Sequence, residues 1–308
     1  MNQYLEELLN IHWLRPETAL WRAIDINSMQ DFRFTPPSLD FGCGDGLFSF
    51  VRAKGKLDRN FNIYTTMTAM DQYFDNVDVY NCSEGYSVSI VNSPEYNISC
   101  GFDIKQQLLD KASHLNFYKN LLQGNANKVL PFYDGYFMSI FSNIIYWLDD
   151  PASVLAELNR VINDEGECCI LLPDQSIKNY SFYHKLYIQD NNKDFEFLKK
   201  LDRGRMSENI KHAYDKNRWD KLILESGFKV KKHIAHHSKP VIQMWDIGLR
   251  PLFPLLKKLI DNVDVDLLNE IKKEWVSLFM YFIEPIVELD KKFCIESKPA
   301  FHCYILKK

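Results

Sequence analysis

Runs of apolar residues alternate with runs of helical periodicity through much of the chain beyond residue 97. Short apolar runs bounded by Gly, Asp and Asn are typical of buried strands, and apolar positions spaced three or four residues apart are typical of amphipathic helices. Strand-like and helix-like runs follow one another at residues 98–103, 105–114, 120–125, 136–145, 152–162 and 167–173. This alternation predicts an α/β fold with a parallel sheet and crossover helices.

Three segments lie outside this alternation. Residues 1–37 have the apolar spacing of a helical N-terminal arm, and residues 54–97 read as an irregular or β-hairpin insertion. Residues 239–298 have the pattern of a helical insertion. Residues 38–238 and 299–308 form the predicted main domain, which contains the insertion 54–97.

The helical insertion separates the last two predicted strands, residues 228–236 and 301–306. Neighbouring antiparallel strands can be joined by a two-residue hairpin, so the topology does not require residues 239–298. Long connections with their own secondary structure are usually functional, which predicts a lid over an acceptor site. The alternative is a helical pair that packs on the sheet edge for stability or dimerisation.

Composition and charge narrow the class of protein. With 308 residues, 46% of them hydrophobic and 25% charged, the chain is typical of a globular protein. A net charge of −4 disfavours a nucleic-acid partner. The seven cysteines include no CxxC pair, which predicts no metal site and fits the reducing cytoplasm. No secretory signal is recognisable, and the apolar window 275–287 is too short for a membrane span and predicts a buried helix.

The strongest local signal is a glycine-rich turn that follows a short predicted strand. Glycines occupy the alternate positions Gly42, Gly44 and Gly46, and a helical run comes next. Because glycine has no Cβ, a ligand can approach this backbone beside the positive helix N-terminus. A dinucleotide-binding turn would have the spacing GxGxxG. Asp40, just before the turn, suits the cationic ammonium and sulfonium of S-adenosylmethionine better than a pyrophosphate.

Asp103 ends the next predicted strand of the main domain. In Rossmann-like folds a carboxylate at this place accepts hydrogen bonds from ribose hydroxyls, about 20 residues beyond the glycines. Here 57 positions separate Gly46 from Asp103, and the insertion at 54–97 accounts for the excess. Asp103 is therefore the predicted ribose ligand. The alternative is that its side chain only caps the helix that begins near Lys105.

Further stretches follow the glycine turn and Asp103 in a familiar order, at residues 124–126, 130–137, 142–151 and 155–162. With them, the chain resembles the class I S-adenosylmethionine-dependent methyltransferases over about residues 38–173 and the closing strands. The resemblance implies a Rossmann-like seven-stranded sheet whose last strand is antiparallel. It also implies that cofactor and acceptor lie at the carboxyl ends of the parallel strands.

The same resemblance implies which residues bind S-adenosylmethionine, and it requires no metal ion. The residues predicted to contact the cofactor are Asp40, Gly42, Cys43, Gly44, Gly46, Asp103, Ile104, Asn125, Ala126, Ser142 and Asn143.

Three residues are candidates for the acceptor side, where in-line methyl transfer needs alignment and exclusion of water. Tyr146 and Trp147 follow the fourth strand and could wall the acceptor or contact the sulfonium through their rings, or they could be core aromatics. An oxygen acceptor usually also needs a base. His237, beside His236 at the end of the penultimate strand, is the candidate, and a solvated surface pair of histidines is the alternative.

Two other groups have both a functional and a structural interpretation. Arg203 and Arg205 could clamp an anionic acceptor, although such a run is more often a solvated loop. The aromatic and charged segment 12–22 could fold over the cofactor, and packing on the sheet edge explains it equally well.

The predicted function is methyl transfer from S-adenosylmethionine to a small molecule or to a saccharide or lipid-linked precursor. The alternative is a non-catalytic protein that binds S-adenosylmethionine for regulation or scaffolding, since a fold does not guarantee an activity. A nicotinamide-dependent oxidoreductase is disfavoured by the GxGxG spacing. The apolar insertion at 239–298 leaves peripheral membrane contact and a homodimer open, without a transmembrane segment.

Overall fold

The computed structural model describes residues 3–67, 82–202, 206, 211–247 and 252–308. In chain order the strands are β1 (Ser38–Phe41), β2 (Lys56–Leu57), β3 (Ile90–Asn92), β4 (Ile98–Asp103), β5 (Tyr118–Gln123), β6 (Phe137–Ser142), β7 (Ile162–Pro173), β8 (Lys229–His236) and β9 (Phe301–Lys307). Seven of them form one sheet in the order β5-β4-β1-β6-β7-β9-β8. Strands β2 and β3 pair separately as an antiparallel ribbon, inside the segment predicted to be irregular or a hairpin.

The direction of the strands confirms the predicted fold class. Strands β5, β4, β1, β6 and β7 pair in parallel, whereas β9 is antiparallel to both β7 and β8. All four residues of β1 and the last six of β7 are buried. Burial on both faces explains why the last six residues of β7 form a continuous apolar run rather than an alternating one.

The helices are α1 (Gln3–Ile11), α2 (Pro16–Ser28), α3 (Leu47–Arg52), α4 (Gln106–Ser113), α5 (Pro151–Val161), α6 (Ile177–Tyr180), α7 (Phe197–Asp202), α8 (Lys216–Glu225), α9 (Lys239–Ile247), α10 (Phe253–Ile260) and α11 (Val265–Glu296). The chain enters α2 at Pro16, whose fixed φ and missing N–H are tolerated in a first turn. Helices α9, α10 and α11 form the predicted insertion between β8 and β9.

The N-terminal helices and the helical insertion pack on each other. Helix α1 contacts α11, and α2 contacts both α9 and α11. Helices α2 and α11 also contact β8. The two segments that lie outside the main domain in the sequence therefore meet at the edge of the sheet that β8 forms.

The apolar window 275–287 is helical within α11, but the prediction that it is buried is wrong for one of its faces. Leu278, Tyr281 and Phe282 are 50%, 83% and 65% exposed, while the opposite face packs into the core. Helical periodicity reveals an apolar face but not what covers it. Among the described helices, none combines the length and the apolarity needed to cross a membrane.

Candidate active site

The turn after β1 adopts a backbone that only glycine takes readily. Gly42, Gly44 and Gly46 have φ angles of 85°, 57° and 76°, in the left-handed region. A Cβ at Gly42 would lie 2.6 Å from the side chain of Ile144, whereas a Cβ at Gly44 would meet nothing within 4 Å. The turn therefore packs closely at Gly42 and leaves open space at Gly44, where a ligand could approach the backbone.

Asp103 lies beside this turn because β4 is the neighbour of β1 in the sheet. Its Oδ2 accepts a hydrogen bond from the Gly44 N–H at 2.9 Å, and its Oδ1 accepts one from the Lys105 N–H at 2.9 Å. The carboxylate thus fixes the glycine turn and also satisfies a donor at the start of α4. Lys105 is the residue that precedes the first turn of α4, and no side chain among the described residues caps that helix. The ribose contact of Asp103 stays a prediction.

Asp40 is buried beneath the turn, with 3% of its surface exposed. The Tyr118 hydroxyl donates a hydrogen bond to its Oδ2 at 2.7 Å. Burial raises the pKa of Asp40 to about 6, against the lowering effect of hydrogen bonds from Ser49 and Tyr118. The sequence gives no sign of Tyr118, which lies 78 positions away at the start of β5.

The other predicted cofactor residues lie at the same edge of the sheet. Ile104 and Asn125 follow β4 and β5 and are exposed, and Ala126 beside them is partly buried. Ser142 is buried at the end of β6, with Asn143 partly buried after it. Cys43, inside the turn, is buried too, which raises the pKa of its thiol. In open α/β sheets, ligands bind at the carboxyl ends of the strands, where these residues lie. Their contact with the cofactor stays a prediction.

The two aromatic candidates differ in their surroundings. Tyr146 is only 6% exposed and packs in the core, where its ring centroid lies 5.8 Å from that of Phe301. Trp147 is 50% exposed. The core interpretation therefore describes Tyr146, whereas Trp147 is accessible to a ligand.

His236 and His237 are not surface residues, and the expectation of a solvated pair is wrong. Both are buried, and their Nε2 atoms lie 3.2 and 2.7 Å from the same oxygen, Oδ1 of Asp25 in α2. The His237 ring stacks on Trp21 at 4.0 Å and contacts Phe301 at 5.4 Å, measured between centroids. The arm therefore covers the end of β8, which the polar sequence of that strand did not indicate.

Burial and mutual contact set the charges of this group. Burial lowers the pKa of His236, which favours a neutral imidazole. Burial alone would raise the pKa of Asp25, but the charge and hydrogen bonds of the two imidazoles outweigh it, so the pKa lies below its usual value. Asp25 is therefore an ionised carboxylate inside the protein.

Arg203 and Arg205, the candidates for an anion clamp, lie outside the described residues.

Comparison with protein families adds a match over residues 77–170 to a family described as a methyltransferase domain. The match identifies a methyltransferase domain within the chain. The match begins after the glycine turn and ends within β7, and with the seven-stranded sheet it agrees with the class I, Rossmann-like family that uses S-adenosylmethionine as methyl donor. None of the curated proteins matches this chain.

Solved structures that are similar to this chain share little sequence with it. A methyltransferase from Thermotoga maritima, described as a possible histamine N-methyltransferase, is 15% identical, with 70% of this chain and 74% of that chain covered and a TM-score of 0.41. An S-adenosylmethionine-dependent methyltransferase from Mesorhizobium loti is 11% identical, with coverages of 92% and 96% and a TM-score of 0.45. The cyclase SpnF is 10% identical, with coverages of 95% and 82% and a TM-score of 0.48. These similarities are too distant to indicate the methyl acceptor.

Proposed function

We propose that the protein methylates a small-molecule or saccharide acceptor, free or lipid-linked, in the cytoplasm, at a site between the glycine turn and the end of β8. One observation carries the proposal. Packed residues at the carboxyl edge of the sheet connect the glycine turn with the end of β8. Gly42 abuts Ile144, and two residues later Tyr146 contacts Phe301, which in turn contacts His237. A concave, mostly apolar and partly aromatic site with few polar groups is the usual form of a small-molecule site.

In this proposal the cofactor side is formed by the residues around the glycine turn. The open space at Gly44 admits the ligand next to the backbone, and Asp103 accepts hydrogen bonds from the ribose. Asn125 and Ala126 border the adenine, and Ser142 and Asn143 border the remainder of the ligand, with Asp40, Gly42, Cys43, Gly46 and Ile104 completing the enclosure. S-adenosylmethionine supplies an electrophilic methyl group, and no covalent intermediate with the protein is needed.

On the acceptor side, the protein aligns the nucleophile and excludes water. Trp147 offers an exposed aromatic face to the acceptor or to a cationic sulfonium. Tyr146 supports this side of the site from within the core through its contact with Phe301, and His237 is the polar group at the β8 end of the site. Helix α2 together with the insertion α9–α11 covers this end of the sheet, which fits a lid that limits access of water.

The test uses S-adenosylmethionine carrying an isotopically labelled methyl group. The purified protein is incubated with it and, in separate reactions, with the small-molecule, saccharide and lipid fractions of a cell extract. We expect S-adenosylhomocysteine and a labelled product in at least one fraction. A Gly44→Val variant serves as the control, because its side chain would fill the cofactor space.

The outcome separates the proposal from its alternative. Binding of S-adenosylmethionine without label transfer into any fraction would favour a regulatory or scaffold protein. Label only in protein or nucleic acid, tested in parallel, would overturn the small-acceptor proposal. The exposed apolar residues Leu278, Tyr281 and Phe282 of α11 make a dimer or a membrane-associated acceptor worth testing in the same preparation.

A further inference from the structure

Three potential metal ligands from distant parts of the chain converge in the interior, at the acceptor end of the proposed site. They are the Asp25 carboxylate from α2 and the imidazoles of His236 and His237 at the end of β8. One ligand atom from each residue lies within 4.8 Å of the others, and all three residues are buried. We propose that Asp25, His236 and His237 bind a divalent transition-metal ion, with Zn²⁺ as the representative ion.

The backbone at His237 is shaped to bring the two imidazoles together. Successive side chains in a strand point to opposite faces of the sheet, so His236 and His237 could not both reach one oxygen in extended conformation. His237 instead has a φ of 56°, a left-handed value that a non-glycine residue rarely adopts. Strain of this kind concentrates at functional sites and persists only where the surroundings fix it.

A carboxylate from the helical insertion fixes that strained turn. The two oxygens of Asp290 in α11 accept hydrogen bonds from the backbone N–H groups of His237 at 3.1 Å and Ser238 at 2.7 Å. Asp290 does not belong to the set of three ligands. It holds the backbone that orients one of them, as the residues around metal ligands commonly do.

The cluster contains more polar atoms than its partners satisfy. In the described part of the chain, Nδ1 of His236, Nδ1 of His237 and Oγ of Ser238 are buried without a hydrogen-bond partner. Buried polar atoms are nearly always paired, and exceptions commonly mark an ion or water that completes the group. Because Nδ1 lies on the far side of each imidazole from Nε2, an ion bound at the two Nε2 atoms and Oδ1 would not itself pair these atoms, and a water molecule in the cluster would have to do so.

The type of ligand indicates the class of ion. Two imidazoles and one carboxylate suit Zn²⁺ and its transition-metal neighbours, whereas Ca²⁺ and Mg²⁺ prefer oxygen ligands. Zinc–ligand distances of about 2.0 to 2.2 Å in tetrahedral geometry place neighbouring donors roughly 3.4 Å apart. The observed 3.2 and 2.7 Å between Asp25 Oδ1 and the two imidazoles need only a small expansion to admit the ion.

Three protein ligands leave open a coordination position that an acceptor oxygen or nitrogen could occupy. That role in methyl transfer rests on the proposed function, whereas ion binding itself does not. The two are therefore separable by experiment. A protein that binds the ion but transfers no methyl group would count against the proposed function only.

The experiment titrates the chelator-treated full-length protein with Zn²⁺ against a chromophoric chelator, and with Co²⁺ as a spectroscopic probe. We expect one equivalent of each ion to bind and the Co²⁺ spectrum to show nitrogen and oxygen ligands. His236→Gln and His237→Gln should each weaken Zn²⁺ binding at least roughly tenfold, because each removes one of three protein ligands. Asp25→Asn, which keeps the side-chain volume, should weaken it to a similar extent.

The matched control is His302→Gln. His302 is also a buried histidine of the sheet, with Nε2 at 2.9 Å from Asp174 Oδ2, but it lies outside the set of three ligands. It should bind Zn²⁺ as the wild type does. Thermal melts without metal verify that each variant is folded. Absence of stoichiometric binding, a thiolate charge-transfer band with Co²⁺, or unchanged affinity in the folded Asp25 and His variants would overturn the proposal.

Discussion

The two ends of the proposed site are built in contrasting ways. At the cofactor end, a contiguous run of alternating glycines forms the turn, and one carboxylate, Asp103, fixes it through a backbone N–H. At the acceptor end, the side chains of Asp25 and His237 meet across 212 positions of sequence. A site made from a local backbone conformation leaves a motif in the sequence, whereas a site made from side chains on remote elements leaves only its separate residues.

The largest effect that would test this contrast is expected from Gly44→Val. A valine side chain would fill the open space beside the turn and strain a backbone at φ 57°. We expect S-adenosylmethionine affinity to fall by more than about 100-fold, roughly 3 kcal/mol, as measured by calorimetry. Gly135→Val is the control, since Gly135 has a φ of 65° and equally open surroundings but lies outside the site. Equal loss of affinity in both variants would refute a local role for Gly44.

A smaller loss is expected from Asp103→Ala. Loss of a charged hydrogen-bond acceptor typically costs about 1.5 to 3 kcal/mol, which corresponds to a roughly 10- to 150-fold weaker binding of S-adenosylmethionine. Asp150→Ala is the matched control because Asp150, like Asp103, accepts a hydrogen bond from the backbone N–H two residues on, with Oδ1 at 3.1 Å from the Ala152 N–H. The control should lose stability of about 1 kcal/mol and no affinity. Unchanged cofactor affinity in Asp103→Ala would remove Asp103 from the site.

The pH dependence of the free energy of unfolding tests the shifted pKa of Asp40. Because burial raises its pKa from 3.8 to about 6, the folded protein holds a proton that the unfolded chain has lost between these pH values. The free energy of unfolding of the ligand-free protein should therefore decrease as pH rises from about 4 to 6, and Asp40→Asn should flatten that slope.

The cationic ligand should reverse this preference, since it favours the ionised carboxylate. We expect S-adenosylmethionine affinity to rise about tenfold between pH 5 and 7, and that of S-adenosylhomocysteine, which lacks the sulfonium charge, to rise less. The same rise in Asp40→Asn would show that another group is responsible.

The smallest effect is expected from Tyr146→Phe, which keeps the ring that packs on Phe301. Melting temperature and cofactor affinity should stay nearly unchanged, because the volume of the core is conserved. If the Tyr146 hydroxyl contacts the acceptor, turnover with the acceptor found by labelling should fall several-fold. A large loss of stability would instead identify Tyr146 as a purely structural residue.

The sequence predicted those parts of the fold that depend on short-range patterns. Strand β4 was predicted at its observed limits of Ile98 and Asp103, and the glycine turn was predicted from its GxGxG spacing. For His236 and His237 at the end of β8, a solvated surface pair was the alternative, but α2 and α11 contact this strand and both residues are buried. Tertiary packing decides such cases, and neither composition nor periodicity records it.

The same reason explains the partners that the sequence did not reveal. Asp25 lies in a helix most of whose residues are buried, and Tyr118 begins an edge strand, so neither position differs from many structural ones. The opposite error occurred in α11, where the apolar residues Tyr281 and Phe282 are exposed. Local pattern identifies the element, and only the arrangement of elements decides which of its faces meets protein or solvent.

Asp290 accepts hydrogen bonds from the backbone N–H groups of His237 and Ser238 and thereby links the helical insertion to the end of β8. If α11 moved so that Asp290 lost these hydrogen bonds, the left-handed backbone at His237 would lose its support, and the imidazoles of His236 and His237 could separate. Replacing the insertion by a hairpin would therefore remove a support of His237 together with the cover over it. Asp290→Asn keeps the helix in place but weakens these hydrogen bonds. This variant therefore separates support of the His237 backbone from coverage of the site by the insertion.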